Sequence, residues 1–384
     1  MSASRPAPCP YDPQLLDALG WFKSTFEPIP LLPHTIAENR AILAGITPSL
    51  AASLEGHDGV RSSERVAAGP RGEIALTILE PAEASSTADP ATPSAVDPAD
   101  PSSPASATSA PTSPAAAVSA TLREGDAAPG SGPAGVGQSP PRPAVLVIHG
   151  RGLVLGDHFI AAGEGIGLVE RYGAVAVLVE YRLAPEFPGS APVEDCYAAL
   201  QWLAANAGEL NVDPDRMVVS GFSAGGGLSA GVALMARDLG GPALAGQLLG
   251  CPMLDDRDES VSTRQYDGIG VWDRTNNRTA WDAVLGERPH RNVSRYAAPS
   301  RAADLSGLPP AFIDVGGAEV FRDEAVEYAS RIWATGGSAE LHVWDGGFHG
   351  FAGFAPQAQA SIASAVATDS WWRRVLKLDG GKAA

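Results

Sequence analysis

The chain has 384 residues, 45% of them hydrophobic, and carries a net charge of −17 from 27 basic and 44 acidic side chains. That apolar content supports a sizeable core, and an acidic surplus with no offsetting basic cluster argues against nucleic acid as a partner. The length allows one large α/β domain with a lid, or two modest domains. Cys9, Cys196 and Cys251 are far apart, with no CxxC pair and no metal-ligand spacing. Free thiols in a reducing cytoplasm are therefore expected, and no metal or disulfide framework. The first residues lack an apolar signal core, and no apolar run reaches the ~18 residues of a membrane span. A soluble, intracellular protein is the expectation.

Residues 12–26 predict a helix, with Asp12 as N-cap, Pro13 in the first turn, and Leu15, Leu19, Phe22 and Phe26 on one face. After a Pro-rich break, Thr35 and Glu38 suggest a capping box opening a second helix, stopped by Gly45. These helices either pack on the core or help to roof a pocket. Residues 73–79 alternate as a strand should. Residues 82–140 are almost wholly Ala, Pro, Ser, Thr, Gly and Asp. They cannot bury enough apolar surface to offset ordering, so a disordered insertion is expected there.

Beyond it, residues 143–148 and 174–179 are continuous apolar runs, as in strands buried on both faces. Helical patterns at 161–172 and 192–204 separate them from a further strand at 217–219. A helix at 228–236 and a strand at 245–250 come next. Strands alternating with helices mean βαβ units and a mainly parallel sheet. From 255 to 300 the alternation stops, and Tyr266, Trp272, Trp281 and Tyr296 punctuate a polar stretch with one helix near 273–285. Such an excursion suits a lid over the carboxyl ends of the sheet. Strands at 310–315 and 340–344, with helices at 323–333 and 358–376, complete the pattern. The organisation read from this is an N-terminal helical cap (1–65), first core strands (66–81), the insertion (82–140), a core (141–254), a lid (255–300) and the rest of the core (301–384).

The chemistry gathers in a few places. Gly221-Phe222-Ser223-Ala224-Gly225 lies between an apolar strand and a small-residue helix, the setting of a nucleophile elbow. A serine hydroxyl needs a base, and the base needs an orienting acid. Three histidines follow Ser223: His290 in the lid region, His342 within a strand, and His349 in the loop Gly346-Gly347-Phe348-His349-Gly350. The flanking glycines let that loop project an imidazole, which makes His349 the candidate base. Glu319, just past the strand at 310–315, is the candidate acid, with Asp323 its rival. Asp323 is otherwise explained as a helix N-cap, Glu324 as a first-turn carboxylate, and Asp314 points to a sheet face. His149-Gly150-Arg151-Gly152 follows the first buried strand, where backbone N–H groups of Arg151 and Gly152, with that of Ala224, would hold an oxyanion.

Taken in order, His149-Gly150-x-Gly152, Tyr181-Arg182-Leu183-Ala184-Pro185-Glu186, Gly221-x-Ser223-Ala224-Gly225-Gly226, Phe321-Arg322-Asp323-Glu324 and Phe348-His349-Gly350-Phe351 resemble the hormone-sensitive-lipase-like family of α/β-hydrolases. The resemblance spans about residues 144–351. It implies an α/β-hydrolase fold with a helical cap and a carboxylic-ester hydrolase acting on a small-molecule ester. It further implies no metal or cofactor, frequent homodimers, and a triad of Ser223, His349 and the loop acid. The family usually has an acidic residue where Phe222 stands, so Phe222 would narrow or reshape the acyl pocket. It usually has aspartate where Glu319 stands, and all glycine where Arg151 stands. A serine peptidase or amidase on the same fold, and a non-catalytic ligand-binding protein, are the competing readings.

Overall fold

The computed structural model describes residues 5–26, 30–82, 140–288 and 291–378. The compositionally biased stretch expected to be disordered falls almost entirely outside the described residues, as does His290. Eight strands form one sheet: β1 (Val60–Gly69), β2 (Gly72–Pro81), β3 (Arg142–Ile148), β4 (Val175–Val179), β5 (Val212–Phe222), β6 (Gly246–Gly250), β7 (Ala311–Gly316) and β8 (Ala339–Trp344). Their order is β1-β2-β4-β3-β5-β6-β7-β8. The first two pair antiparallel, β2 meets β4 antiparallel, and every pairing from β4 to β8 is parallel.

Eleven α-helices accompany the sheet among the described residues: α1 (Pro13–Phe26), α2 (Ile36–Ile46), α3 (Leu50–Leu54), α4 (Ala162–Tyr172), α5 (Ala191–Ala205), α6 (Ala224–Asp238), α7 (Val261–Gln265), α8 (Arg274–Leu285), α9 (Arg322–Ala334), α10 (Phe351–Phe354) and α11 (Gln359–Val375). Strand residues alternate between two cores. Leu146, Ile148, Val177 and Val219 pack with Val193, Leu200, Leu228 and Val232 of α5 and α6. On the other face Val145, Val147, Leu178 and Val218 meet Ile166 and Val169 of α4 and Trp371 and Trp372 of α11. Each such aliphatic side chain contributes about 1.5–3 kcal/mol on burial, so β3 and β4 are held from both sides. A third cluster joins α6 and α9 over Leu249, Ile313 and Val315.

Several local expectations need correction. The segment expected to be helical to residue 65 enters the sheet at Val60. Strand β1 escaped sequence reading because it is the edge of the sheet and buries only two of its ten residues, so its sequence is polar. Thr35 is the N-cap of α2 but forms no capping box. A short 3₁₀ turn, Pro33–Thr35, precedes the helix, and the Thr35 hydroxyl donates to the Pro30 carbonyl (2.7 Å) while accepting from the Leu32 N–H (2.9 Å). The helix runs on through Gly45 to Ile46. Asp323 is not an N-cap either: Phe321 holds that position, and Asp323 lies inside the first turn of α9. Asp12, by contrast, accepts from the Gln14 N–H at 2.8 Å, as its cap reading requires.

The chain between 255 and 300 carries two helices where one was expected. Its tryptophans are anchors: Trp281 is fully buried. Two arginines hold acidic side chains inside it. Asp256, fully buried, accepts two bonds from Arg301 (2.7 and 2.8 Å), and Asp258 accepts one from Arg274 (2.7 Å). No helix among the described residues is long and apolar enough to cross a membrane.

Candidate active site

The parallel register decides what meets at the carboxyl edge. Ile148 pairs with Gly221 and Phe222 with Gly250, so the loops after β3, β5 and β6 emerge side by side. Ser223 sits between β5 and α6 with φ 60° and ψ −122°, a strained turn for a residue with a side chain. The turn closes because Gly221 and Gly225 lack Cβ atoms. A Cβ on Gly221 would stand 2.4 Å from the Gly225 backbone, and one on Gly225 would stand 2.0 Å from the Ile148 carbonyl oxygen. Backbone bonds then pin the serine: its N–H donates to Gly250 O (2.7 Å), and its carbonyl accepts from Gly227 (3.1 Å) and Met253 (3.0 Å).

His349 comes from the loop after β8. Its Nε2 is 3.1 Å from Ser223 Oγ, and its Nδ1 is 2.5 Å from Glu319 Oε2. With the carboxylate holding the Nδ1 proton, Nε2 is left to accept from the serine hydroxyl. Glu319 is buried, and its other oxygen accepts the Gly316 N–H at 3.2 Å. Burial works against a charged His349, but Cys251 and Glu319 favour it and raise the imidazole pKa, which stabilises the imidazolium formed once Nε2 has taken a proton. The rival acid is engaged elsewhere: Asp323 accepts from the Ser262 N–H (2.7 Å) and from Arg322 Nε (2.8 Å). Asp314 accepts from Trp344 Nε1 (2.6 Å) and Ser364 Oγ (2.8 Å), beneath the sheet edge. His342 stacks on Trp344 and bonds Glu340. Of the sequence candidates, Ser223, His349 and Glu319 are the ones brought into line.

The glycine-rich loop after β3 lies against the elbow, for a Cβ on Gly150 would come within 2.7 Å of the Phe222 carbonyl oxygen. Arg151 and Gly152 both have positive φ (77° and 69°), a left-handed turn that strains Arg151 and suits Gly152. Ala224, the first residue of α6, has one of the orphan N–H groups of a helix start. Tyr181 steadies this loop: its hydroxyl donates to the His149 carbonyl at 2.9 Å and its ring stacks on the His149 imidazole at 4.2 Å. Burial lowers the His149 pKa to about 4, so that ring is a neutral packing element. Arg182 is committed to the fully buried Asp195, giving it a bond from Nε (2.7 Å) and one from its backbone N–H (3.1 Å). These partners give the Tyr-Arg motif its structural purpose. Sequence reading missed the Tyr181–His149 link, because a tyrosine after a strand has no spacing signature.

Phe222 is 46% exposed. Its ring lies over Gly250, and it borders a cavity of about 160 Å³ lined by Leu168, Leu248, Phe312 and Trp372, with Glu164 and Asp314 also at its wall. The residue that crowds the loop of Arg151 and Gly152 is Trp272, from the 255–300 stretch. A Cβ on Gly152 would sit 2.4 Å from its ring.

The N-terminal segment buttresses the same loops. The Asp12 N–H donates to Gly346 O (3.1 Å), and Leu15 and Leu19 of α1 bury against Phe348 and Phe351, either side of His349. Gln265 of α7 donates to the Ala7 carbonyl (2.5 Å), and Tyr266 to that of Cys9 (3.2 Å).

A mostly parallel sheet covered on both faces by helices, with a serine turn and a histidine loop at its carboxyl edge, is the architecture of an α/β hydrolase. Residues 145–353 match the sequence profile of a family described as alpha/beta hydrolase fold. The chain belongs to that family, in its hormone-sensitive-lipase-like branch. It is 39% identical over 218 residues to carboxylesterase NlhH of Mycobacterium tuberculosis, covering 56% of this chain and 67% of that protein. It is 36% identical over 223 residues to esterase LipI of the same organism, with the same coverages. Among solved structures, a bacterial heroin esterase superposes with TM-score 0.74 at 32% identity, over 95% of this chain and 98% of the other. A thermostable esterase from Pseudomonas putida ECU1011 gives TM-score 0.71 at 25% identity, over 97% and 99%.

Proposed function

We propose that the chain is a serine carboxylesterase that cleaves esters of small to medium acyl groups through an acyl-enzyme on Ser223. The observation that carries this reading is the continuous line from Ser223 Oγ to His349 Nε2 (3.1 Å) and from His349 Nδ1 to Glu319 Oε2 (2.5 Å). The esterases among its relatives support the choice of ester as substrate.

The mechanism follows from where protons and charge can go. As Ser223 Oγ attacks the ester carbonyl, His349 Nε2 takes the hydroxyl proton. Glu319 keeps the ring oriented and stabilises the imidazolium. The negative charge on the former carbonyl oxygen falls to the N–H groups of Arg151, Gly152 and Ala224. Each well-placed donor there is worth about 3 kcal/mol of barrier. The imidazolium protonates the departing alcohol, and a water activated by His349 then releases the acid. Trp272 beside Gly152 limits the room for the acyl group, which suits short and medium chains. This reading includes a cytoplasmic enzyme with Cys9, Cys196 and Cys251 as free thiols, and a homodimer, which analytical ultracentrifugation would check.

The test is Ser223→Ala assayed on a chromogenic butyrate ester. The variant should keep its circular dichroism and lose turnover by about four orders of magnitude or more. Retained hydrolysis would remove Ser223 from its role. Parallel assays on a matched amide should show a far slower rate than the ester.

A further inference from the structure

We propose that Cys251, Glu319 and His349 form an inhibitory binding site for a thiophilic divalent cation, zinc foremost. The three residues come from the ends of β6, β7 and β8, and no spacing in the sequence links them. In the fold one donor atom from each, a sulfur, a carboxylate oxygen and an imidazole nitrogen, lies within 4.8 Å of the other two. Cys251 and Glu319 are buried, and His349 is half-buried at the mouth of the site.

The donor set is selective by its chemistry. Thiolate, imidazole and carboxylate together suit zinc, whereas magnesium and calcium prefer oxygen ligands alone. Tetrahedral zinc would bring neighbouring donors to roughly 3.5 Å apart, so side chains on strand-end loops need move only about an ångström. Three protein ligands would leave a fourth position for water. Cys251 carries no proton between Ser223, His349 and Glu319, and its thiol already lies against His349, the residue with which it would share a metal. On binding, the sulfur–metal bond forms as the thiol proton leaves to solvent.

The consequence for catalysis is the same whichever ring nitrogen ligates. Through Nδ1, the metal replaces the proton that Glu319 holds and detaches the acid from the ring. Through Nε2, it occupies the lone pair that must receive the Ser223 proton. The inhibition therefore rests on the esterase reading of His349, whereas the binding does not.

The test uses the full chain, stripped of metal with a chelator. Cobalt(II) is added as a spectroscopic stand-in for zinc, and zinc chloride is added in the ester assay. Expected is a thiolate-to-cobalt charge-transfer band in the parent and in Ser223→Ala, absent from Cys251→Ala and Cys251→Ser. Zinc should inhibit the parent reversibly, magnesium should not, and the zinc concentration for half-inhibition should rise about tenfold or more in the Cys251 variants. Each variant is compared with its own metal-free rate. Should alanine disturb folding, the serine variant carries the comparison. A parent with no cobalt–thiolate band, or Cys251 variants that keep the band or the parent's zinc sensitivity, would overturn the site. A band in the parent and in Ser223→Ala without any inhibition would keep the metal site and count against His349 as the base.

Discussion

Glu319 reaches His349 with one carboxylate oxygen and binds the Gly316 N–H with the other, so the acid is fixed from both ends within a single loop. On the proposed mechanism a glutamate does here what the family resemblance assigns to an aspartate, and its second oxygen is anchored to its own turn. Glu319→Gln preserves size but donates where a proton must be accepted, favouring the wrong imidazole tautomer. We expect kcat to drop about a thousandfold or more with a smaller change in KM. Steady-state kinetics on a chromogenic ester would check this, and a near-normal kcat would dismiss Glu319 as the acid.

Tyr181→Phe removes the hydroxyl that holds the His149 carbonyl while leaving the stacked ring in place. The loop of His149 to Gly152, the proposed oxyanion site, should loosen without the fold unravelling. The expected result is a loss of roughly tenfold in kcat against a stability cost of about 1 kcal/mol. Chemical denaturation paired with kinetics separates the two effects, and unchanged kcat would show that the loop needs no such tie.

Gly225→Ala places a methyl 2.0 Å from the Ile148 carbonyl oxygen, which belongs to backbone at the centre of the sheet and cannot retreat. The elbow must open. A loss of about 3 kcal/mol or more in unfolding free energy is expected, together with greatly slowed labelling by an organophosphate serine probe. Parent-like labelling would mean that the turn has more slack than its geometry allows.

Glu164 is half-buried beside the cavity that Phe222 borders, where it accepts from Ser220 Oγ (2.5 Å). Burial raises its pKa from 4.5 to about 7, with the Ser220 bond opposing. The folded state thus holds this proton more tightly than the unfolded chain does. The stabilisation is complete below about pH 4.5 and is lost as pH rises through about 7. Ionising a group shifted this far costs about 3 kcal/mol. Glu164→Gln, which cannot ionise, should flatten the fall in stability across that window relative to the parent. Urea titrations at several pH values would measure it, and identical slopes for both proteins would rule out Glu164 as the source.

The sheet, and the side chains it brings together at its carboxyl edge, were legible because each leaves a local mark. Strands buried on both faces read as uninterrupted aliphatic runs, and the serine turn needs glycines where its backbones touch. Glu319 and His349 follow strands whose ends the pattern located. What stayed hidden lacks such marks. Strand β1 is polar because it is an edge, and α7 is too short to show a period. The capping reading of Thr35 failed because a 3₁₀ turn takes its hydroxyl first, and that of Asp323 because Ser262, far away in sequence, takes its carboxylate. Phe222 was expected to narrow or reshape the acyl pocket; its ring borders the cavity between α4 and α11. Trp272 and Cys251 reach the site only through the fold, so nothing adjacent to them in the sequence announces them.

The apolar staples between α1 and Phe348 and Phe351 have a further consequence for how activity arises during synthesis. The clamp is synthesised early and the imidazole-bearing loop late, so α1 must wait for its partner. A chain that has completed β1 to β7 still lacks both this contact and the imidazole it braces.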